Sequence, residues 1–526
     1  MKLYKTLLFI FGILIMLTGL CLFFPKEGIQ IGSLNLKFPS LHEVLSLGND
    51  DEEEVHELTP EELLEMRMAA LMEMQDSTFL DFCHNSPIRI CMPKIHIQVV
   101  DSIATDSLRK LALEYDPETP DSLLAEIVSY KDSITEESDL TYLDPLFNAL
   151  DSACVRHVRI LHYGDSQIEE DRITSSLREH FQEEFGGGGV GMLPAIQTVA
   201  KMTVRQSASQ SLGYNLAYGP ASTRASHNGY GPMAQVSHLN GNVTLKYTGL
   251  TSDRFPHVDK FNHVTLLRSN GNSHELICEE MGFDSLRQSV SVEVEGPTNI
   301  YGVMLDTRTG VNVDNVPMRG SSGNFFSSIT RSTMEPFFQH ENVQCIILQY
   351  GGNSVPYLKT EESQIRFCTN MQKQIKYFNE IAPDARIIFI GPSDMSTTIG
   401  GAHVTYPQLP GFVKILEKYI TEAGAAFWNM YEAMGGEGSM VQWVNSRPQL
   451  AGEDYVHFTH KGAQKVSDLL YETFDTYYKY YKFRIGEYEI ELPLDSMQLD
   501  SIRRDSLRLD SIRIDSLHRD SIKKLM

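Results

Sequence analysis

Apolar residues recur along the chain with two different periods. The run Val155–Tyr163 reads VRHVRILHY and has the composition of a strand, and apolar residues then recur at helical spacing through Ile168, Ile173, Leu177 and Phe181. Further strand-like stretches begin at Ile300, Val343, Ala385 and Ala425, and helical patterns separate them. This alternation predicts an α/β domain with a parallel sheet covered by helices on both faces.

Residues 202–297 interrupt that alternation. They are rich in Ser, Thr, Asn, Gly and β-formers, as in GNVTLKYTGL, HVTLLRS and QSVSVEVEG, and they show no convincing amphipathic helix. Short strands at turn-rich intervals predict a β-sandwich. We interpret it as an insertion between two parts of the α/β domain, residues 152–201 and 298–482.

The N-terminal segment is strongly apolar. An uncharged run extends over Thr6–Phe24, which is long enough to cross a bilayer as a helix. Lys2 and Lys5 precede this run, and acidic residues follow it. The positive-inside tendency therefore predicts a cytoplasmic N-terminus and an exported remainder. Residues 1–27 are interpreted as a membrane anchor or signal segment, with the rest of the chain in the cell envelope, on the periplasmic side.

The sequence allows two interpretations of how this segment is processed. No small-x-small cleavage site precedes Pro25, and the apolar run is longer than a usual signal core, which favours an uncleaved anchor. Cys21 allows a lipoprotein as the alternative, although Leu20 stands where lipoprotein signals carry a small residue.

Two polar regions flank the predicted domains. Residues 28–151 are acidic and contain helical stretches such as TPEELLEMRMAALMEM, which predicts a partly helical spacer. In residues 483–526 Asp-Ser recurs every five residues. A five-residue step advances about 140° around a helix, so the apolar residues of this tail do not form one stripe. The tail is interpreted as a flexible polyampholyte, with a helix induced by a protein partner as the alternative.

Charge and cysteine content exclude some functions. The 526 residues include 69 acidic and 45 basic ones, for a formal charge of −24, which argues against nucleic acid as a partner. The seven cysteines form no metal-like cluster, so neither a metal nor a cofactor is expected. Cys83 and Cys91 could close a disulfide in an oxidising compartment or stay unpaired. Cys345 is interpreted as a buried core thiol.

The first candidate for chemistry is Ser166, although the Asp-Ser pair is too frequent in this chain to identify a site by itself. Ser166 lies between the carboxyl end of a predicted strand and the start of a helix. In open α/β sheets ligands bind at that edge, and the free N–H groups of the helix stabilise a developing anion. A helix N-cap is the plain structural alternative.

Two further candidates lie at similar positions in the C-terminal half. Asp454 and His457 precede a helical pattern, and from one loop they could supply a base for a serine and a carboxylate that orients the base. A solvent-facing histidine at a helix start is the alternative. Asn353, in LQYGGNSV, could donate to an oxyanion, or the Gly-Gly-Asn run could be only a turn.

Together the stretches YGDSQ, YGGNS and DYVHFTHKG resemble, in order, three sequence blocks of the SGNH or GDSL hydrolase superfamily. The resemblance implies a three-layer, flavodoxin-like α/β fold. It also implies that Ser166 is the nucleophile, His457 the general base and acid, Asp454 its orienting partner and Asn353 an oxyanion donor. The stretch TGVNVDNVPMRGSSGNFF looks like the block that supplies a glycine N–H to the oxyanion, which makes Gly320 the candidate.

Three rivals to these assignments remain. The glycine cluster from Gly186 to Gly191 is a rival oxyanion element or a mobile loop. His460 is the competing base, but Thr459 and Gly462 match the block and favour His457. His162, beside the nucleophile, is interpreted as structural.

An exported domain of this superfamily with a β insertion resembles bacterial peptidoglycan O-acetylesterases and related polysaccharide-modifying enzymes, whose insert looks like a carbohydrate-binding module. The resemblance implies a serine esterase that removes O-acetyl groups from a cell-envelope or extracellular polysaccharide. An O-acetyltransferase with the same site, and a non-catalytic anchored glycan-binding protein, are the alternatives.

Overall fold

The computed structural model describes residues 29–31, 34–36, 77–100 and 132–487, except residue 272. The predicted anchor, residues 1–27, lies outside the described residues, and so do most of the predicted spacer and of the Asp-Ser tail. Across the part of the chain that is described, no helix has the length and apolarity needed to span a membrane. The chain divides into two compact units, Met1–Gln75 with Asp495–Met526, and Asp76–Leu494.

The strands, in chain order, are β1 (Ile29–Ile31), β2 (Leu34–Leu36), β3 (Ile90–Cys91), β4 (Lys94–Val100), β5 (Asp132–Ser138), β6 (His157–Gly164), β7 (Gly191–Leu193), β8 (Val204–Ala208), β9 (Gly213–Leu216), β10 (Gln235–Leu239), β11 (Asn242–Gly249), β12 (Phe261–Ser269), β13 (Leu276–Arg287), β14 (Ser289–Glu295), β15 (Thr298–Asp306), β16 (Gly310–Pro317), β17 (Val343–Gln349), β18 (Arg386–Ile390), β19 (Ser396–Ile399), β20 (Ala402–Thr405) and β21 (Ala426–Trp428).

The α-helices are α1 (Asp144–Asp151), α2 (Thr174–Phe185), α3 (Glu335–His340), α4 (Glu361–Ile381), α5 (Leu409–Glu422), α6 (Met430–Ala433), α7 (Ser439–Asn445) and α8 (His460–Arg484), and residues 77–85 are also helical. Short 3₁₀ turns include Ser166–Asp171 and Gly352–Tyr357.

The central sheet has the strand order β16-β6-β17-β18-β21-β3. Its first five strands are parallel, and β3 is antiparallel to β21 at the edge. Numbered by their appearance in the chain, the parallel strands follow the order 2-1-3-4-5 of flavodoxin-like sheets. The predicted parallel sheet is confirmed.

Alternate residues of the central strands enter two different cores. On β6, Val158 and Ile160 pack with α2 and α8 on one face, whereas Leu161 and Tyr163 pack with α4 and α5 on the other. Because side chains of a strand alternate between faces, a strand that is buried on both sides carries a continuous apolar run. This explains the composition of VRHVRILHY and gives the predicted arrangement of helices on both faces.

Strands between Gly191 and Asp306 form two antiparallel sheets. One has the order β13-β12-β15-β10-β9, with β7 also paired to β15, and the other has the order β14-β11-β8. Both sheets contribute to one apolar cluster, through residues such as Val264 and Val303 from the first and Leu245 and Val292 from the second. The first sheet also packs Leu267 and Met304 into the core that contains Tyr163.

The strand beginning near Ile300 differs from its prediction. It is β15, which pairs antiparallel with β12, β10 and β7, whereas the sequence analysis placed it in the parallel sheet. The parallel neighbour of β6 is β16. Both β15 and β16 are almost entirely buried, so their apolar composition does not show which sheet they join.

Parts of the predicted spacer belong to the folded unit. Phe79 from the helical residues 77–85, Ile90 from β3 and Phe147 from α1 are buried in the same core as Trp428. Of the two alternatives for Cys83 and Cys91, the structure has the unpaired one, since both are free thiols. Cys345 is fully buried, as expected for a core thiol.

Candidate active site

The nucleophile candidate lies directly after the carboxyl end of β6. The last residue of β6, Gly164, pairs with Pro317 of β16 and Gln349 of β17, so three strand ends meet beside Ser166. Asp165 is the residue that caps the following 3₁₀ turn, because its Oδ1 accepts a hydrogen bond of 2.9 Å from the N–H of Gln167. The Ser166 hydroxyl is therefore not used as the cap.

The three predicted triad residues form one chain of hydrogen bonds. Ser166 Oγ lies 2.8 Å from His457 Nε2, and His457 Nδ1 lies 2.7 Å from Asp454 Oδ2. A carboxylate only accepts hydrogen bonds, so Nδ1 carries the proton and Nε2 is free to accept the serine proton. The sequence separates Ser166 and His457 by 291 residues, and the fold brings them into contact.

Asp454 is held in its charged form. Burial raises the pKa of this carboxyl, but the hydrogen bonds from the His457 ring and from two backbone N–H groups outweigh burial and leave the pKa below its usual value. Its Oδ1 accepts from the N–H of Val456 at 3.1 Å and of His457 at 3.0 Å. One carboxylate thus orients the imidazole and fixes the loop that carries it.

Gln167 ties this loop to the nucleophile strand. Its Nε2 donates to the carbonyl of Val456 at 2.6 Å, and its Oε1 accepts from the N–H of Phe458 at 3.4 Å. The sequence analysis missed this residue. Its position directly after the serine in YGDSQ could have drawn attention to it. The neighbouring sequence, however, does not show that its hydrogen-bond partners lie in the loop that carries His457.

Two further residues of DYVHFTHKG, Thr459 and Gly462, shape the backbone after His457. Thr459 caps α8, since its hydroxyl accepts from the N–H of Gly462 at 3.2 Å. A Cβ on Gly462 would come within 1.8 Å of the carbonyl oxygen of Leu450, so no larger side chain fits there. His460 is the first residue of α8 and is exposed, while His457 contacts the serine.

Asn353 lies in the 3₁₀ turn that follows β17. Its Nδ2 donates to Asp165 Oδ2 at 3.0 Å and to the carbonyl oxygen of Ser321 at 3.1 Å. A side-chain amide has two hydrogens, and both are used in these bonds. Donation to an oxyanion therefore requires Asn353 to share or release one of them.

Asp165 connects the serine turn to Asn353 and was not among the predicted site residues. It is 4% exposed, and burial raises its pKa to about 6, although the Gln167 N–H and nearby His457 favour the charged form. Its sequence signal was again its place in YGDSQ. The sequence did not show that Oδ2 of Asp165 accepts from Asn353, because that contact depends on where the end of β17 lies in the fold.

Gly320 lies in an exposed turn directly after β16, with a φ of 75°. The next residue, Ser321, is buried and contacts Asn353. The turn is attached to the nucleophile strand through the N–H of Met318, which donates to the carbonyl of Gly164 at 2.7 Å. The structure therefore brings the predicted glycine block to the site, with Ser321 as its contact.

The rival residues lie elsewhere. The carbonyl of Gly186 accepts from the N–H of Val311, which pairs with Val158 near the start of β6. At 3.3 Å per residue, the start of β6 lies about 20 Å from its carboxyl end, where Ser166 is found. Gly186 is therefore far from the candidate nucleophile. His162 is fully buried between Gln349 and Thr174, and burial lowers its pKa to about 4, in agreement with a structural role.

A cavity of about 220 Å³ opens beside the triad. Its lining includes Ser166, His457, Asn353, Met395 and Tyr357. Among the described residues, no cluster of His, Cys, Asp and Glu could hold a metal ion. The arrangement offers a hydroxyl with an adjacent base, which suits acyl transfer through a covalent intermediate.

Solved structures resemble this chain at low identity. A peptidoglycan O-acetylesterase matches with a TM-score of 0.51 and 18% identity, over 64% of this chain and 96% of that chain. An acetyl xylan esterase has a TM-score of 0.24 and 13% identity, over 31% of this chain and 80% of that chain. A GDSL-like lipase from Parabacteroides merdae has a TM-score of 0.26 and 14% identity, over 32% and 74%. No protein-family model and no curated protein matches the sequence.

Proposed function

We propose that this chain, which has the SGNH/GDSL hydrolase fold, is an exported serine esterase that removes O-acetyl groups from a cell-envelope or extracellular polysaccharide. The observation that carries the proposal is the continuous hydrogen-bond chain from Ser166 through His457 to Asp454 beside a small cavity. That geometry activates a hydroxyl for attack on an ester carbonyl.

The first half of the reaction forms an acetyl-enzyme. Ser166 Oγ bonds to the acetyl carbonyl carbon while His457 Nε2 takes the hydroxyl proton, and the carbonyl oxygen becomes an oxyanion. The carbon–oxygen bond to the sugar then breaks, and His457 passes its proton to the departing sugar oxygen. Asp454 stabilises the imidazolium between these two transfers.

The second half releases acetate. Water attacks the acetyl carbonyl and gives a proton to His457, and the bond to Ser166 Oγ then breaks as this oxygen recovers the proton. By the family resemblance, the oxyanion in both halves would be bound by Asn353 and by the N–H groups of Ser166 and Gly320. Asn353 must then exchange its bond to Ser321 or Asp165 for one to the oxyanion.

The acetyl group and the polysaccharide are supported by different observations. The cavity, at about 220 Å³, lies below the range of roughly 300–1,000 Å³ typical of ligand pockets, which fits a small acyl group. The proposal of a polysaccharide substrate rests on the resemblance in sequence blocks. It also rests on the antiparallel sheets between Gly191 and Asp306, which we interpret as an inserted glycan-binding β-sandwich.

Export rests on the apolar run of residues 6–24 and the lysines before it. We propose that this segment anchors the protein with its catalytic domain on the periplasmic side. Survival of the domain when protease is added to the periplasmic side of intact inner membranes would contradict this location.

The central experiment measures acetate release by the purified full-length protein. Ser166→Ala and His457→Ala should each lower turnover of ethyl acetate and of O-acetylated peptidoglycan or xylan by about 10³-fold or more. The double variant should be scarcely slower than either single variant, because the two residues act as one unit.

His460→Ala is the matched control, and its turnover should stay close to that of the unmodified protein. If Ser166→Ala retained full activity, the proposed nucleophile would be wrong. Faster acetyl transfer to added sugar than to water would identify an O-acetyltransferase, and glycan binding without any ester cleavage would identify a binding protein.

A further inference from the structure

The cavity beside Ser166, at about 220 Å³, has no room to enclose a polysaccharide chain together with the acetyl group. Its inner wall is formed by buried residues such as Gly391, Ser393 and Met395. The glycan chain that carries an acetyl ester bound at Ser166 must therefore extend through the mouth of the cavity. The chemistry of that mouth then decides which alcohols are accepted.

Tyr357 stands at this mouth and is unusually exposed. It lines the cavity, yet it is 80% exposed, more than any other large hydrophobic residue in the described part of the chain. An aromatic ring gains free energy mainly by burying its surface. A ring left in water beside a reactive serine contributes little to folding, and it remains available to a ligand.

The backbone beneath Tyr357 is held firmly. Val355 and Leu358, on either side of the ring in sequence, are buried. The carbonyl of Val355 accepts from Gln408 Nε2 at 2.6 Å and from the N–H of Leu358 at 3.2 Å. Pro356 restricts the chain between them. The ring is thus presented from a fixed turn, which lowers the entropic cost of binding.

We infer that Tyr357 is an aromatic platform that binds the sugar ring carrying the acetyl ester and that it selects glycan esters over simple esters. A pyranose ring has a C–H face that loses water when it stacks on an aromatic ring, while its hydroxyl groups stay solvated at the edge. Tyr357 offers such a face at the place where the sugar oxygen leaves. The inference rests on the proposed esterase function and makes Tyr357 a specificity-determining residue.

The test compares two substrates in the full-length protein and its Tyr357→Ala and Tyr357→Phe variants. Ethyl acetate has no ring in its alcohol, whereas the glycan probe is O-acetylated peptidoglycan or O-acetylated xylan, whichever the unmodified protein cleaves faster. Tyr357→Ala should raise KM for the glycan roughly five- to tenfold with kcat nearly unchanged, since stacking stabilises substrate and transition state alike. The rise in KM for ethyl acetate should be several-fold smaller than the rise for the glycan, because an ethyl group has no ring face to stack on Tyr357.

Tyr357→Phe should behave like the unmodified protein on both substrates, because the ring face and not the hydroxyl makes the contact. Val155→Ala is the matched control, since Val155 is exposed, lies outside the inserted sheets and precedes the start of β6, at the opposite end of that strand from Ser166; it should leave both reactions unaltered. An unchanged glycan KM in Tyr357→Ala would overturn the inference, and so would an equal loss on ethyl acetate. If the unmodified protein released acetate from neither ester, the proposed function itself would fail, and the platform with it.

Discussion

Asp165 is a buried carboxyl group whose two oxygens hold different parts of the site. One oxygen accepts from the N–H of Gln167 and the other from the side-chain amide of Asn353. Burial raises its pKa from the ordinary 3.8 to about 6. The neutral form is thus favoured by folding, and ionisation at neutral pH is costly to the folded state.

This pKa predicts a pH dependence of stability. With the folded pKa above the unfolded one, the contribution of Asp165 is complete below about pH 4 and is lost as the pH rises through about 6. A rise of about two units corresponds to about 3 kcal/mol. Relative to Asp165→Asn, the unmodified protein should lose about 3 kcal/mol of unfolding free energy between pH 4 and pH 7.5. Denaturant unfolding at both pH values measures this difference, and parallel pH profiles would contradict it.

At the scale of elements, the start of α8 fixes the loop that carries His457. Thr459 caps the helix, and its hydroxyl also donates to the carbonyl of Gln449 at 2.7 Å. Gly462 lets the first turn of the helix approach Leu450 closely. The position of the base therefore depends on a contact between the helix and the backbone of the segment before the loop.

Replacing this glycine should affect stability and turnover together. Gly462→Ala should lower the unfolding free energy by at least about 2 kcal/mol, because its Cβ would collide with backbone. It should also slow ethyl acetate hydrolysis by about 10²-fold, since His457 would shift. Gly411→Ala is the control. Gly411 lies in α5 with no atom near its Cβ position. Gly411→Ala should therefore raise the free energy of unfolding by at most about 1 kcal/mol and leave turnover unaltered. Equal behaviour of the two variants would contradict this account.

Across the whole molecule, Arg159 joins the parallel and antiparallel sheets. This residue of β6 is 1% exposed and donates to Asp314 of β16 at 2.8 Å, Asp306 of β15 at 2.6 Å and Glu341 at 2.9 Å. Because Asp306 belongs to the antiparallel sheet, one guanidinium neutralises carboxylates from both sheets. The two sheets are therefore coupled by charge as well as by apolar packing.

Removing this cation should destabilise the protein strongly. Arg159→Met would leave buried carboxylates without a partner and should cost about 3–5 kcal/mol of unfolding free energy. Arg331→Met is the control, since Arg331 is exposed and pairs with Glu335 and Glu380 at the surface, where solvent screens ion pairs, so its loss should destabilise the protein far less than the loss of Arg159. Chemical unfolding of both variants measures the difference, and similar losses would show that Arg159 does not couple the sheets.

The sequence by itself determined the features that depend on local pattern. Apolar runs such as the one before Gly164 predicted the parallel strands, because a strand buried on both faces has no polar side. Three short blocks predicted that Ser166, His457 and Asp454 act together, because a nucleophile, its base and the orienting carboxylate must be of particular residue types, and the structure joins the three by hydrogen bonds. Thr459 and Gly462 were recognised with them, although only the structure showed what they contact.

Only the tertiary structure decided which distant segments meet. The pattern of β15 fits either sheet equally well, and its antiparallel pairing depends on β7, β10 and β12. The bonds from Asn353 to Asp165 and Ser321, and the exposure of Tyr357, depend on where three strand ends and a turn converge. The physical reason is that burial and periodicity act on neighbouring residues, whereas hydrogen-bond partners and cavity walls come from residues far apart in the chain.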